Sequence, residues 1–332
     1  MMNRICYLDC LRGIVMLMVV FCHVCGFSLD CQEDLWICHI FGIIMLPGFF
    51  FVSGWFSRIC LNGGAIVNRL GYMLLPTISM FLLYVFAYWG NLDRLGYCLH
   101  NEYKWGYWFT FALFLMNLLH WTVSALVRTL PFKEYKKEQW ILVFMLMAIV
   151  LIVLLKGWDN RNNGAFLINW FSLRLIAMYF PFYLIGLICK HFDKLFHHVV
   201  TNDYVIGMAM IFFAGSLFHR GSFYYGLLQG GFGIILLYRF CFQYMNILSS
   251  NTIVGKQLSL IGRNTLPIYL IHYFLLLGMK LFVVGTYLDA KSQWLMIFVI
   301  ALSLTIMVAY ISIAIKRIMD ISKPLSRVLI GK

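Results

Sequence analysis

The chain has 332 residues, of which 62% are hydrophobic and 12% are charged. Because soluble globular proteins carry about 25% charged residues, this composition excludes an ordinary soluble enzyme, a disordered protein and a nucleic-acid-binding protein. The formal net charge of +13 is interpreted as the excess of Lys and Arg that membrane proteins carry in their cytoplasmic loops. We therefore expect an integral membrane protein in contact with membrane lipids.

Ten apolar runs approach the length of about 20 residues that a helix needs to cross a bilayer. In chain order, the predicted spans cover 5–28, 36–57, 70–89, 105–127, 140–156, 166–189, 204–219, 222–243, 264–285 and 294–316. The predicted fold class is all-α, a polytopic helical bundle of about ten transmembrane helices that forms a single domain over 1–332.

Basic residues are divided unequally between the two alternating sets of segments that flank these spans. The set that includes both termini holds seventeen Lys and Arg residues, and the other set holds six. Because basic residues are enriched in cytoplasmic loops, both termini are predicted to be cytoplasmic. Cys31 and Cys38 bracket the first outer loop, and whether they form a disulfide stays open.

The first span contains three ionisable side chains, Asp9, Arg12 and His23. Such groups are costly inside a membrane and mark candidate functional sites. The eleven residues from Arg12 to His23 correspond to about 1100° of helical rotation, which predicts both side chains on one face, about 16 Å apart along the axis. Asp9 precedes Arg12 by one turn and is expected to pair with it. An interfacial Arg12 and a His23 that packs within the bundle are the alternatives.

Basic residues cluster at the predicted cytoplasmic ends of the second and third spans. Arg58 and Arg69 lie on the same predicted side of the membrane as Arg12, and the planar guanidinium group suits phosphate. The three arginines are therefore candidates to bind a polyphosphate group, and the alternative for Arg58 and Arg69 is that they only determine topology. Ser53 and Gly54 are small residues at which two helices can approach closely.

Ionisable residues also occur in later spans. Arg174 lies about 12 Å from the predicted outer end of the sixth span, and His272 lies near the middle of the ninth, so both are candidates to face a polar cavity. His120 lies near a span end and is expected at the membrane interface. The ten cysteines are scattered and offer no complete set of zinc ligands, so we expect no metal.

Six blocks of sequence occur in a fixed order along the chain. They are YLDCLRG at 7–13 followed by the histidine at 23, FFFVSGW at 49–55, RLGYMLLP at 69–76, YWF at 107–109, YFPFYLIG at 179–186 and IGRNTLPIYLIH at 261–272. Together they resemble the acyltransferase 3 family of membrane O-acyltransferases over roughly 4–315. The chain departs from the family at 44–47, where Ile-Met-Leu-Pro replaces a segment in which many members carry a histidine.

This resemblance implies transfer of an acyl group, most often acetyl, from cytoplasmic acyl-CoA to a hydroxyl of a cell-surface or exported glycan or glycolipid. It also implies a multi-pass protein of the bacterial inner membrane. Acyl-CoA would be the co-substrate, with its phosphates bound by Arg12, Arg58 and Arg69. His23 is expected to be the general base, because imidazole accepts a proton readily at neutral pH.

Other residues are expected to assist His23. Arg174 or His272 is expected to stabilise the oxyanion of the tetrahedral intermediate, and Glu102 is a candidate carboxylate to orient His23. The expected catalytic group is thus His23, Arg12, Arg174 and His272, with supporting roles for Asp9, Ser53, Glu102 and Trp108.

Several alternatives stay open at this point. A covalent acyl-histidine intermediate competes with direct transfer of the acyl group. A transporter or flippase for a lipid-linked sugar or small anion is the main rival function, although the sequence shows no inverted repeat of the kind common in transporters. A purely structural membrane protein is the third alternative.

Overall fold

The computed structural model describes residues 6–162, 165–217, 223–279 and 293–331, and every regular element within these ranges is a helix. The α-helices are α1 (Cys6–His23), α2 (Trp36–Trp55), α3 (Gly63–Arg69), α4 (Leu75–Trp89), α5 (Leu95–His100), α6 (Trp108–Thr129), α7 (Glu134–Asn162), α8 (Phe166–Phe171), α9 (Leu173–His191), α10 (Asp193–Thr201), α11 (Asp203–Ser216), α12 (Phe223–Gln243), α13 (Ile253–Arg263), α14 (Thr265–Gly278), α15 (Trp294–Met319) and α16 (Lys323–Leu329). Short π-helical segments follow α1 and α3, over Val24–Ser28 and Leu70–Leu74.

Eight helices in the described chain are long and apolar enough to cross a membrane. Two bent helix pairs raise the number to ten if each pair forms one span. The predicted polytopic helical membrane bundle is therefore confirmed. Parts of four predicted spans, at residues 5, 218–219, 222 and 280–285, lie outside the described residues.

The second helix of each bent pair overlaps a predicted span: α11 overlaps the seventh and α14 overlaps the ninth. Helices α10 and α11 meet at 73°, and Asn202 between them caps α11 by accepting hydrogen bonds from the backbone of Tyr204 and Val205. Helices α13 and α14 meet at 78°. Helix α13 precedes the predicted ninth span and carries Lys256 and Arg263, so it is amphipathic and gives no continuous apolar run.

The sixth predicted span is divided in two at Ser172. This residue has a left-handed backbone conformation, with φ 54° and ψ 38°, which interrupts a right-handed helix. The Ser172 hydroxyl donates a hydrogen bond to the carbonyl of Glu102 at 2.7 Å. The prediction that Arg174 lies well inside one continuous span is therefore wrong, because Arg174 lies in the first turn of α9.

The chain is divided into two compact units. The first contains Met1–Val52 and Lys194–Ile318, and the second contains Ser53–Asp193 and Met319–Lys332. In the first unit, α1 packs against α12, α13 and α14. In the second unit, α9 packs against α6 and α7, and α16 packs against α4. Cys31 and Cys38, in the first unit, are both buried free thiols.

Two glycines allow α1 and α13 to cross closely within the first unit. A Cβ atom on Gly13 would overlap the carbonyl oxygen of Leu258, and a Cβ atom on Gly262 would overlap that of Asp9. Small residues permit this kind of backbone contact between membrane helices. The crossing fixes the half of α1 that carries Arg12.

Candidate active site

Helix α1 presents the two residues whose spacing predicts a shared face. The α-helix is uninterrupted from Arg12 to its last residue, His23, so the predicted separation along the axis applies. Both side chains are partly buried. Directly after His23 the backbone changes to the π-helical segment Val24–Ser28, a local irregularity that is frequent at functional sites.

His23 on α1 contacts His272 on α14, and both helices belong to the first unit. The Nδ1 atom of His23 lies 2.9 Å from the Nε2 atom of His272, and the two rings are nearly parallel, at 4°. His272 is completely buried. Its own Nδ1 atom lies 2.7 Å from the carbonyl oxygen of Tyr269 and 3.1 Å from that of Ile268.

These contacts determine which nitrogen atoms carry protons when both imidazoles are neutral. Backbone carbonyls only accept hydrogen bonds, so the Nδ1 atom of His272 must be the donor. Since a neutral imidazole has one N–H group, the Nε2 atom of His272 is an acceptor and the Nδ1 atom of His23 donates to it. The Nε2 atom of His23 then carries a lone pair and can accept a proton.

Aromatic side chains surround this basic nitrogen. The Tyr273 hydroxyl lies 3.5 Å from the Nε2 atom of His23, and the Tyr273 ring centroid lies 5.1 Å from that of His23. The ring of Phe27, which is exposed, packs edge-on against His23 at 5.6 Å. The lone pair of His23 therefore faces a region lined by a phenol and an apolar ring.

Asp9 connects α1 to α13. Its buried carboxylate accepts a hydrogen bond from Nε of Arg263 at 3.3 Å. The sequence suggests Arg12 as the partner of Asp9, and the structure adds Arg263 as a charged partner from a helix distant in sequence. This ion pair lies at the same helix crossing as Gly13 and Gly262.

Arg69, in the second unit, is held by neutral oxygen atoms. Its guanidinium group donates to Oδ1 of Asn117 and, at 3.3 Å, to Oγ of Ser57. Both acceptors also lie 2.9 Å from the hydroxyl of Tyr183. Arg69 is partly buried, and no carboxylate in the described chain is paired with it. Its positive charge therefore has no acidic counter-ion among the described residues.

The segment between α2 and α3 lies beside Arg69 and carries the exposed Arg58. The Nε2 atom of His120 donates to the carbonyl of Ile59 at 2.7 Å, the Ser124 hydroxyl accepts from the backbone N–H of Leu61 at 3.3 Å, and Arg128 donates to the Leu61 carbonyl. Polar groups of α6 thus fix this segment. The side chain of His120 is completely buried, and its position at the membrane interface stays a prediction.

Ser53 and Gly54 lie near the end of α2. A Cβ atom on Gly54 would overlap the carbonyl oxygen of Tyr183 on α9, so the predicted close approach of two helices is confirmed at Gly54. Ser53 itself is partly buried.

Glu102 and Arg174 form an ion pair in the second unit. Arg174 donates from Nε to Oε1 of Glu102 at 3.0 Å and approaches Oε2 at 2.7 Å, and it also donates to the Tyr103 hydroxyl at 2.9 Å. The sequence suggests Glu102 as the group that orients His23, whereas the ring contacts described for His23 come from His272, Tyr273 and Phe27.

The residues around this ion pair are largely buried. The side chain of Trp108 stacks on Tyr179, with ring centroids 5.6 Å apart. The ammonium group of Lys104 donates to the carbonyls of Asn101 and Asn169. Burial lowers the pKa of Lys104 to about 8, and the charge of Glu102 acts in the opposite direction. The Glu102–Arg174 ion pair and the hydrogen bonds of Lys104 therefore fix the loop before α6 against α8 and the start of α9.

The buried hydrogen-bond partners of Arg69 were not predicted from the sequence; they are Ser57 and Asn117. The groups connected to them, Tyr183 and His120, were not predicted as parts of the site either. Their one sequence signal is the presence of polar groups within or beside apolar runs. Among the described residues, no group of three or more His, Cys, Asp or Glu side chains is placed to hold a metal ion.

Comparison with known proteins identifies the family to which the chain belongs. The family model of the acyltransferase 3 family, described as an acyltransferase domain, matches residues 5–314. No curated protein and no solved structure matches the chain significantly. The matched range contains the His23–His272 pair, and it contains Arg69 with its hydrogen-bond partners Ser57 and Asn117. Because the match covers nearly the whole chain, the chain belongs to the acyltransferase 3 family and is an integral membrane O-acyltransferase.

Proposed function

We propose that this acyltransferase moves an acetyl group from cytoplasmic acetyl-CoA to a hydroxyl of a cell-surface or exported glycan or glycolipid in the bacterial inner membrane. The observation that carries the proposal is the pair of histidines. In this pair, His272 holds the proton of His23 on Nδ1, which leaves Nε2 of His23 as a basic nitrogen. Transfer of an acyl group to a hydroxyl needs such a base, since an alcohol is a weak nucleophile before it loses its proton.

In the proposed reaction, Nε2 of His23 takes the proton of the acceptor hydroxyl as the oxygen atom attacks the thioester carbonyl. A carbon–oxygen bond forms, the carbon–sulfur bond breaks, and His23 returns the proton to the departing thiolate to give CoA. The products are an O-acyl ester and free CoA thiol. Direct transfer in this way needs no acyl-enzyme intermediate.

The second histidine is assigned a positioning role in this proposal. Both nitrogens of His272 are engaged, one with backbone carbonyls and the other with His23, so the ring has no donor left for an oxyanion. It is suited instead to hold His23 in one tautomer and to stabilise the imidazolium formed during transfer. The Tyr273 hydroxyl, 3.5 Å from Nε2 of His23, is the proposed oxyanion donor.

Arg174 keeps its predicted oxyanion role only as an alternative. Its charge is neutralised by Glu102, and about half of its side chain is exposed, at 49%. Oxyanion stabilisation is most effective from donors in a site that excludes water. The tyrosine beside His23 therefore fits the role better.

Arg58 and Arg69 are proposed to bind phosphate groups of acyl-CoA, and Arg12 keeps the same role as predicted from the sequence. The proposal is supported for Arg69 by its neutral partners, because a partly buried guanidinium without a carboxylate can bind a phosphate ligand with its full charge. Arg58 is exposed on the segment that α6 holds in place.

The test uses membranes that contain the protein, supplied with acetyl-CoA labelled in the acetyl group. Glycans and glycolipids are extracted and examined for label that mild alkali releases, as expected of an O-ester. The expected result is alkali-labile label in these fractions only when the protein is present. Equal label in membranes without the protein, or label that resists alkali, would contradict the proposed reaction.

A further inference from the structure

Tyr183 places a polar hydroxyl group among buried aromatic side chains. It lies on α9 among the buried aromatic residues Phe180 and Phe182, and its side chain is fully buried. A buried phenolic hydroxyl needs hydrogen-bond partners, because leaving it unsatisfied costs the desolvation free energy of the group. Its hydroxyl is therefore expected to be hydrogen-bonded within the second unit.

Three polar groups from different elements meet at this hydroxyl. It lies 2.9 Å from Oγ of Ser57, 2.9 Å from Oδ1 of Asn117 and 3.0 Å from Nδ1 of His120. Oδ1 of Asn117 and Nδ1 of His120, whose Nε2 atom donates to Ile59, are both acceptors. The single proton of the phenol therefore goes to one of these two atoms, and the phenol oxygen accepts from the Ser57 hydroxyl. It connects α9 to α6 and to the segment after α2.

Two of these partners are also the hydrogen-bond acceptors of Arg69. Asn117 is held in one orientation, because its Nδ2 atom donates to the carbonyl of Leu113 at 2.7 Å. Its Oδ1 atom therefore faces both Arg69 and the Tyr183 hydroxyl. Ser57 likewise contacts both groups. The Tyr183 hydroxyl thus contacts both acceptors of Arg69, and it also interacts directly with the guanidinium group.

The third partner extends the network to the neighbouring segment. His120 contacts Tyr183 through Nδ1 and the Ile59 carbonyl through Nε2. The same hydroxyl is therefore connected to the segment that carries Arg58. A network in which each member is hydrogen-bonded is rigid, and a rigid binding group loses less entropy when its ligand binds.

We propose that Tyr183 is a positioning residue for the acyl donor: it holds Ser57 and Asn117 so that Arg69 is oriented to bind a phosphate of acyl-CoA. This inference rests on the proposed donor site at Arg69. Tyr183 does not touch the donor, and its effect on donor affinity passes through Arg69.

The test measures binding of acetyl-CoA to purified full-length protein in detergent. Tyr183→Phe removes one oxygen atom and keeps the ring. The dissociation constant for acetyl-CoA is expected to rise about tenfold, which corresponds to about 1.4 kcal/mol. Tyr84→Phe is the matched control, because Tyr84 is a buried tyrosine of the same unit whose ring packs against Tyr107. This control should bind like the wild type.

A double-mutant cycle separates positioning from a general loss of structure. In an Arg69→Ala background, Tyr183→Phe should cause no further loss of affinity, since the group on which it acts is gone. If the two losses multiply, or if Tyr183→Phe alone binds as tightly as the wild type, the inference is wrong while the donor proposal stands. If the wild-type protein does not bind acetyl-CoA, the donor proposal fails and takes the inference with it.

Discussion

His272 acts on His23 through one hydrogen bond, and two backbone carbonyls determine the direction of that bond. The carbonyls of Ile268 and Tyr269 require a proton on Nδ1 of His272. This leaves the other nitrogen of His272 as an acceptor, so that the proton of His23 is held on Nδ1. In the proposed mechanism, a single buried imidazole therefore plays the part that a carboxylate plays in the Ser-His-Asp triad.

Loss of the acceptor on His272 should reduce the rate of transfer. His272→Ala leaves Nδ1 of His23 without this partner, so the proton can move to Nε2 and remove the base. We expect kcat to fall about 10²–10⁴-fold, a typical contribution of a general base, with little change in KM for acetyl-CoA. Initial rates of label transfer at saturating acetyl-CoA measure this effect.

A conservative variant provides the control for this prediction. In His272→Gln, the side-chain oxygen can accept a hydrogen bond from Nδ1 of His23, so this variant should retain a higher kcat than His272→Ala. Wild-type kcat in His272→Ala, or equal loss in both variants, would contradict the positioning role.

At the scale of whole elements, the crossing of α1 and α13 holds the first half of the helix that carries Arg12 and His23. The contact depends on backbone approach at Gly13 and Gly262, and the Asp9–Arg263 ion pair lies beside it. Helix α13 is amphipathic and ends at the bend before α14. The position of α1, which presents His23, therefore depends on two glycines and on the Asp9–Arg263 ion pair.

Gly262→Ala should destabilise this crossing. The new Cβ atom would overlap the carbonyl oxygen of Asp9, and overpacking in a tight contact costs about 1–3 kcal/mol. We expect a lower midpoint of thermal unfolding in detergent. Gly207→Ala in α11 is the control, since nothing lies within 4 Å of its added Cβ atom. A midpoint for Gly262→Ala at or above that of the wild type would show that the crossing is looser than described.

At the scale of the whole molecule, the distribution of basic residues predicts the direction in which the chain crosses the membrane. Seventeen Lys and Arg residues lie on the set of flanks that includes both termini, and six lie on the other set. This asymmetry favours cytoplasmic termini. This orientation matters for the proposed function, because the proposed donor, acyl-CoA, is cytoplasmic and Arg58 and Arg69 belong to the basic set of flanks.

Reporter fusions at the C-terminus test this orientation. A fluorescent protein that matures only in the cytoplasm should be bright when fused after Lys332, and an alkaline phosphatase that folds only outside should be inactive there. Fusions at Asn91, between α4 and α5, should give the opposite pair of results. The reverse pattern at both positions would contradict the predicted topology.

The membrane bundle was predictable because long apolar runs signal membrane helices directly. His23 and Arg12 were also predictable, since an ionisable residue in an apolar run is conspicuous and their spacing is local. His272 was expected near His23 as an oxyanion donor, but its direct hydrogen bond to His23 was not predicted, because it joins residues 249 positions apart. The network at Tyr183 was hidden for the same reason.

Local structure also departs from the sequence pattern at two points. Helix α13 was missed because its lysine and arginine interrupt the apolar run that marks a span. The break at Ser172 has no local signal, since its left-handed conformation is accompanied by a hydrogen bond to the distant Glu102 carbonyl. The break at Ser172 thus depends on a tertiary contact that a single sequence does not encode in its local pattern.

The role of His23 as the base is tested most directly by label transfer in membranes that contain His23→Ala or wild-type protein at matched levels. His198→Ala is the control, because it makes the same change at an exposed histidine on α10. A base at His23 predicts alkali-labile acetyl label on glycan or glycolipid with the wild type and His198→Ala and none above background with His23→Ala. Equal transfer by all three proteins would contradict it.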